Sequence, residues 1–167
     1  LKLKEIIVSL VFTALIRTLI GLVPAIILTS PLFGVSILKL GLPLLLLFLS
    51  LYIFGITLGL FVSAGLMRFG PSFENIAWSS LFLLAPLGCI YYPIEILPNF
   101  FQIIAKGLPL VYIFDETRNI LLNNFVNYEN LKQAYLLNLI YLTFGIILFY
   151  FSFLKARIKG TLINMGE

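Results

Sequence analysis

Residues 6–29 read IIVSLVFTALIRTLIGLVPAIILT, an apolar run from Ile6 to Thr29 with one charge, Arg17, in its middle. A membrane-crossing helix needs about 20 mostly apolar residues, so the run is long enough to span. An arginine near the bilayer centre costs about 2.5–3.5 kcal/mol on insertion scales and normally faces a protein interior or a water-filled cavity. The stretch therefore reads as one span of a multi-span membrane protein with a polar interior. Arg17 becomes a candidate for a substrate path.

Composition extends this reading to the whole chain. Hydrophobic residues make up 61% of the 167 and charged residues 11%, where a soluble domain sits nearer 45–50% and about 25%. Mean hydropathy is +1.11. There are no histidines, which removes histidine general bases, histidine metal sites and histidine pH sensing. The single cysteine, Cys89, has no internal disulfide partner and sits in an apolar segment. The net charge of +4 reports topology here, and no nucleic-acid role is read into it. The first residue is Leu1, and the expectation is an N-terminally truncated fragment of a longer chain.

Four apolar spans stand out by length and periodicity. Span A covers Ile6–Thr29, and Ser30-Pro31-Leu32-Phe33-Gly34 is expected to turn after it. Span B covers Leu40–Met67, and Arg68-Phe69-Gly70-Pro71 breaks it. Ser72 is expected to cap span C, Phe73–Ile90, which Pro86 and Gly88 interrupt near its end. Span D covers Ala134–Leu154. Between C and D, the segment Tyr91–Leu131 is too polar for a span and too apolar for a solvated loop. Pro98 and Gly107 bracket one expected short helix, and Pro109 opens another running to Leu122. Both are expected to lie in, or dip into, the interface. The expected fold is an all-α polytopic helical bundle in one transmembrane domain, residues 1–167. It has about four transmembrane helices plus two short external or re-entrant ones.

Lys2, Lys4, Arg68, Lys155, Arg157 and Lys159 fall on one side of such a four-span chain. The positive-inside rule makes that side cytoplasmic, with both termini. Lys39, Lys106, Arg118 and Lys132 are then expected outside. Two stripes of four-residue spacing put their members on common helix faces. Thr13, Arg17, Gly21 and Ala25 form one, and Gly55, Gly59 and Ser63 the other. Small residues admit a neighbouring helix at close range, and ordinary packing competes with any functional reading. Asp115 and Arg118, three apart, read either as a surface ion pair or as a polar latch beside an external exit. No Gly-rich phosphate loop, paired-acid site or metal-ligand spacing is present, so neither a cofactor nor an enzymatic activity is expected.

From Ala85 to Leu122 a further pattern emerges: Tyr91-Tyr92-Pro93, Leu97-Pro98, Leu108-Pro109, then Phe114-Asp115-Glu116-Thr117-Arg118. It resembles the type-2 family of ATP-binding-cassette (ABC) exporter permeases, and Arg68-Phe69-Gly70 resembles the family's short cytoplasmic turn upstream. The resemblance implies the C-terminal four spans of a six-span permease subunit. Such a subunit forms the substrate path in the cell (plasma) membrane and is powered by a separate nucleotide-binding ATPase subunit. It pairs with a second permease copy, as homodimer or heterodimer. Tyr91, Tyr92, Pro93, Asp115 and Arg118 would then belong to an external gate. Lys2, Lys4, Glu5 and Arg68 would contact the motor subunit. The competing class is an integral membrane enzyme acting on lipid or a lipid-linked substrate, which would need a cluster of acids or histidines at a membrane face. A non-catalytic assembly subunit is a third reading.

Overall fold

A computed structural model describes residues 3–33, 41–123 and 126–159. Among them every regular element is helical: α1 (Leu3–Phe33), α2 (Leu42–Phe69), α3 (Phe73–Leu87), α4 (Asn99–Lys106), α5 (Pro109–Asn123) and α6 (Tyr128–Lys159). A single 3₁₀ turn, Ile94–Ile96, precedes α4. Three helices are long and apolar enough to cross a bilayer, over Ile7–Thr29, Leu42–Phe69 and Tyr128–Ile158. The chain is an all-α membrane protein.

The chain forms two compact units, Leu1–Leu46 and Leu47–Glu167. In the first, α1 runs through Ser30 and Pro31 to Phe33, so the expected turn does not begin at Ser30. Two of its threonines bond back onto the helix. Thr18 Oγ1 donates to the Ala14 carbonyl at 2.7 Å and Thr29 Oγ1 to that of Ala25 at 2.7 Å. A hydroxyl bonded this way can face hydrocarbon without an unsatisfied donor.

The second unit is organised by α2 and α6. Asn138 bonds Ser50, Phe54 meets Tyr141 edge-on at 6.5 Å, and Phe61 meets Phe144 at 5.9 Å. Positions advance together along both helices, so the two run parallel. The polar contact joins the two helices directly: Asn138 Nδ2 donates to the Ser50 carbonyl at 2.9 Å and to Ser50 Oγ at 2.8 Å, with both residues buried. Gly145 lets the helices approach, since a Cβ there would already sit 3.6 Å from Leu60 Cβ.

Two parallel spans require the chain between them to return to the starting face. The sequence assigns this return to span C, but α3 stops at Leu87, about 22 Å of helix against a hydrocarbon core of about 30 Å. It starts hard against α2, where a Cβ at Gly65 would overlap the Phe73 ring. Ser72 makes no side-chain cap bond. The turn is closed instead by backbone, with Phe73 N–H to Gly70 O at 3.1 Å and Glu74 N–H to Pro71 O at 3.0 Å.

The stop at Leu87 has a local cause. Cys89 N–H bonds Pro86 O at 3.2 Å and Ile90 N–H bonds Ala85 O at 3.5 Å. Cys89 itself sits at φ 53. This is a Schellman termination with cysteine where glycine is usual. The remainder of the return is carried by the turn, α4 and α5. A small core holds them, with Cys89, Ala105 and Val111 buried and Tyr92, Leu97 and Leu108 packed around it.

Candidate functional site

The α4–α5 hairpin is the feature in which charge, irregular backbone and depth coincide. Pro98 sets the start of α4 and Gly107 its end, as the sequence predicts. Pro109 opens α5. At the turn, Tyr141 of α6 donates its hydroxyl to the Gly107 carbonyl at 3.0 Å. Tyr112 donates to the Lys106 carbonyl at 3.0 Å. At the other end of α5, Asn127 and Asn130 meet Glu116. So α5 lies antiparallel on α6, and the hairpin turn is the part furthest along α6 from its first residue.

The depth follows from helix geometry. Tyr141 lies about 20 Å along α6 from Tyr128, and the same ring contacts Phe54 near the middle of α2. The hairpin turn is therefore level with the middle of α6 and of α2. Lys106 closes α4 at this turn and is exposed. Charge counting expects it outside the membrane; in the structure it lies at a turn level with Tyr141, near the middle of α6.

Arg118 fastens the hairpin to the end of α3. Its Nη1 donates to the Cys89 carbonyl at 2.9 Å, and its Nη2 lies 3.7 Å from Asp115 Oδ1. The expected Asp115–Arg118 pair thus exists, but the stronger contact of Arg118 is to backbone. That bond holds the one described non-glycine residue with positive φ. Gly88 allows the approach, since a Cβ there would sit 2.9 Å from Leu110 Cδ1.

Glu116 is the residue that sequence reading passed over. It is fully buried. One carboxylate oxygen accepts the Asn127 N–H at 2.7 Å and the other the Asn130 Nδ2 at 3.3 Å. Asn127 in turn accepts the Glu129 N–H on its side-chain oxygen at 3.0 Å, capping α6. A carboxylate beside the first turn of a helix is favoured by the helix dipole. Asn130 also reaches Asp115 Oδ2 at 3.3 Å. The network joins α5 to the start of α6 with both Glu116 carboxylate oxygens occupied.

The other sequence candidates are dispersed. Tyr91 is exposed, and Tyr92 donates to the Pro86 carbonyl at 2.8 Å, bracing the turn that Pro93 continues. Arg17 is exposed near the middle of α1. Gly55 and Gly59 have open space where a Cβ would point: no described atom lies within 4 Å. Arg68 ends α2. Lys4 and Glu5 lie in the first turns of α1, while Lys2 and Lys39 lie outside the described residues. Among the described residues no group of three or more His, Cys, Asp or Glu could hold a metal ion.

No family model matches the chain, and no curated protein or solved structure matches it.

Proposed function

We propose that the chain is the membrane-spanning permease subunit of an ABC exporter, forming a substrate path powered by a separate ATP-hydrolysing subunit. The observation that carries the reading is the re-entrant α4–α5 hairpin with Lys106 at its turn. An ammonium at the level of the bilayer centre is costly against lipid and normally lines a water-filled path. Non-helical backbone at that depth is tolerated where it is packed in protein or lines a cavity. The Tyr-Pro, Leu-Pro and Asp-x-x-Arg pattern of the exporter permeases falls on this hairpin and on the turn that leads into it. Asp115 and Arg118 then act as the fastening of an external gate. Arg17, at the middle of α1, is a second candidate for the path. A second permease copy, packed on faces such as Gly55 and Gly59, completes the path in the cell membrane.

Reconstitution with the candidate ATPase subunit tests this. The expected result is ATP hydrolysis stimulated by the permease, and export lowered by Lys106→Gln with complex formation intact. A chain that neither binds nor stimulates the ATPase, or that modifies lipid alone, overturns it.

A further inference from the structure

The C-terminal ends of the parallel helices α2 and α6 line a cavity of about 540 Å³. Its walls are of two kinds. Phe144, Ile147 and Phe151 lie at three- and four-residue spacing on α6 and share one face. All three are largely exposed. Arg68 of α2 and Lys155 of α6 line the same cavity, with the buried Ser152. Among the described residues no acidic side chain lines it, and neither cation has a carboxylate partner there. The Arg68 guanidinium lies 5.6 Å from the Phe69 ring centroid, a cation–π distance that leaves its N–H groups free for an oxygen acceptor.

Two unpaired cations beside an apolar wall, at the ends of two bilayer-long helices, match one kind of occupant. It has an anionic head and a hydrocarbon tail. Free phosphate would use the cations and leave the aromatic wall bare. An acidic protein segment, such as a loop of a motor subunit, would do the same. The negative ends of the α2 and α6 dipoles also lie here and oppose an anion, so occupancy needs both cations together. Basic pockets between membrane helices are a recurring solution for phospholipid head groups.

We infer that this cavity binds an anionic phospholipid of the surrounding bilayer. Its phosphate meets Arg68 and Lys155, and one acyl chain lies along Phe144, Ile147 and Phe151. The site does not depend on the transport reading.

Native mass spectrometry of the full chain, purified in detergent, tests it. Phosphatidylglycerol and phosphatidylcholine of matched chains are added in turn, with inorganic phosphate as a separate competitor. Selective retention of phosphatidylglycerol is expected. The Arg68→Gln/Lys155→Gln variant should lower its affinity about tenfold, and Arg68→Lys/Lys155→Arg should restore it. Equal retention of the two lipids overturns the inference, as does retention unchanged in the glutamine variant. Displacement of the lipid by millimolar phosphate would make the site one for the free anion. If the glutamine variant loses the ATPase subunit while wild-type lipid retention is unselective, the pair is a protein contact. If the glutamine variant does not fold, the lipid pair and the phosphate arm on the wild-type chain still decide.

Discussion

The two ends of the α2–α6 pair handle charge in opposite ways. Where α6 begins, Glu116, Asp115 and Arg118 share bonds with Asn127, Asn130 and the Cys89 carbonyl. Where α6 ends, Arg68 and Lys155 line an open cavity without a carboxylate. Charges at the first end are consumed within the chain and set the position of the hairpin. Charges at the second end are left over and are available to something else. Between the two ends, at the hairpin turn, Lys106 is exposed level with the middle of α6. Interior partners therefore separate the structural charges of this molecule from its functional candidates.

The comparison breaks most readily at the packed end. Glu116→Ala would leave the Asn127 N–H and Asn130 Nδ2 without their acceptor. An unsatisfied buried group costs about 1–3 kcal/mol, so thermal unfolding in detergent should shift clearly downward. Glu116→Gln, which keeps one acceptor oxygen, should cost less. An unchanged transition for Glu116→Ala would remove the network from the account.

Arg118→Ala tests the fastening of the hairpin to α3. A hydrogen bond from a charged donor is worth about 1.5–3 kcal/mol when broken, partly offset here because Arg118 keeps some solvent contact. Asp115→Ala removes only a half-exposed partner, and exposed pairs contribute about 0–1 kcal/mol. Stability should therefore fall more for Arg118→Ala than for Asp115→Ala. The reverse order would mean that the ion pair, and not the Cys89 carbonyl, holds Arg118.

Cys89 offers a smaller and sharper test. Left-handed backbone costs an L-residue about 1–2 kcal/mol, and glycine avoids this while losing the buried thiol. Cys89→Gly should be close to neutral. Cys89→Val, β-branched at positive φ, should be destabilising by chemical denaturation. Equal effects of the two would show that packing, and not backbone, governs this site.

Much of this architecture was readable in the residues. Pro98, Gly107 and Pro109 marked both short helices because proline and glycine act on backbone before any packing occurs. The long apolar runs marked α1, α2 and α6, since hydrocarbon thickness sets a length that composition alone can meet. What was not readable lies in tertiary partners. Nothing local separates Glu116 from Asp115, yet one is buried in a network and the other half-exposed. Pro86 and Gly88 marked an interruption near the end of span C, but nothing local says that Cys89 takes the left-handed backbone that ends α3 at Leu87. The level of Lys106 along α6 depends on a bond between Tyr141 and Gly107, 34 residues apart in sequence. Gly55 and Gly59, which read as a packing stripe, have no described atom within 4 Å of an added Cβ, while Gly65 and Gly145 do.

The same difference predicts a small effect at the glycine stripe. Gly59→Leu should leave the folding stability of the isolated chain nearly unchanged, within about 0.5 kcal/mol, because no described atom lies within 4 Å of the added Cβ. A large loss of stability in the monomer would show a contact within the chain.

The depth of the hairpin turn is the claim on which the candidate path rests. A fluorophore on Lys106→Cys, compared with one on Tyr128→Cys, can be measured in bilayers carrying nitroxides either at the head group or near the acyl-chain ends. The account expects the Lys106→Cys label to be quenched most by the deep nitroxide, about 15 Å from the surface in a core of about 30 Å, and the Tyr128→Cys label by the head-group nitroxide. If both labels are quenched alike by the head-group nitroxide, the hairpin lies on the membrane surface and the re-entrant path is contradicted.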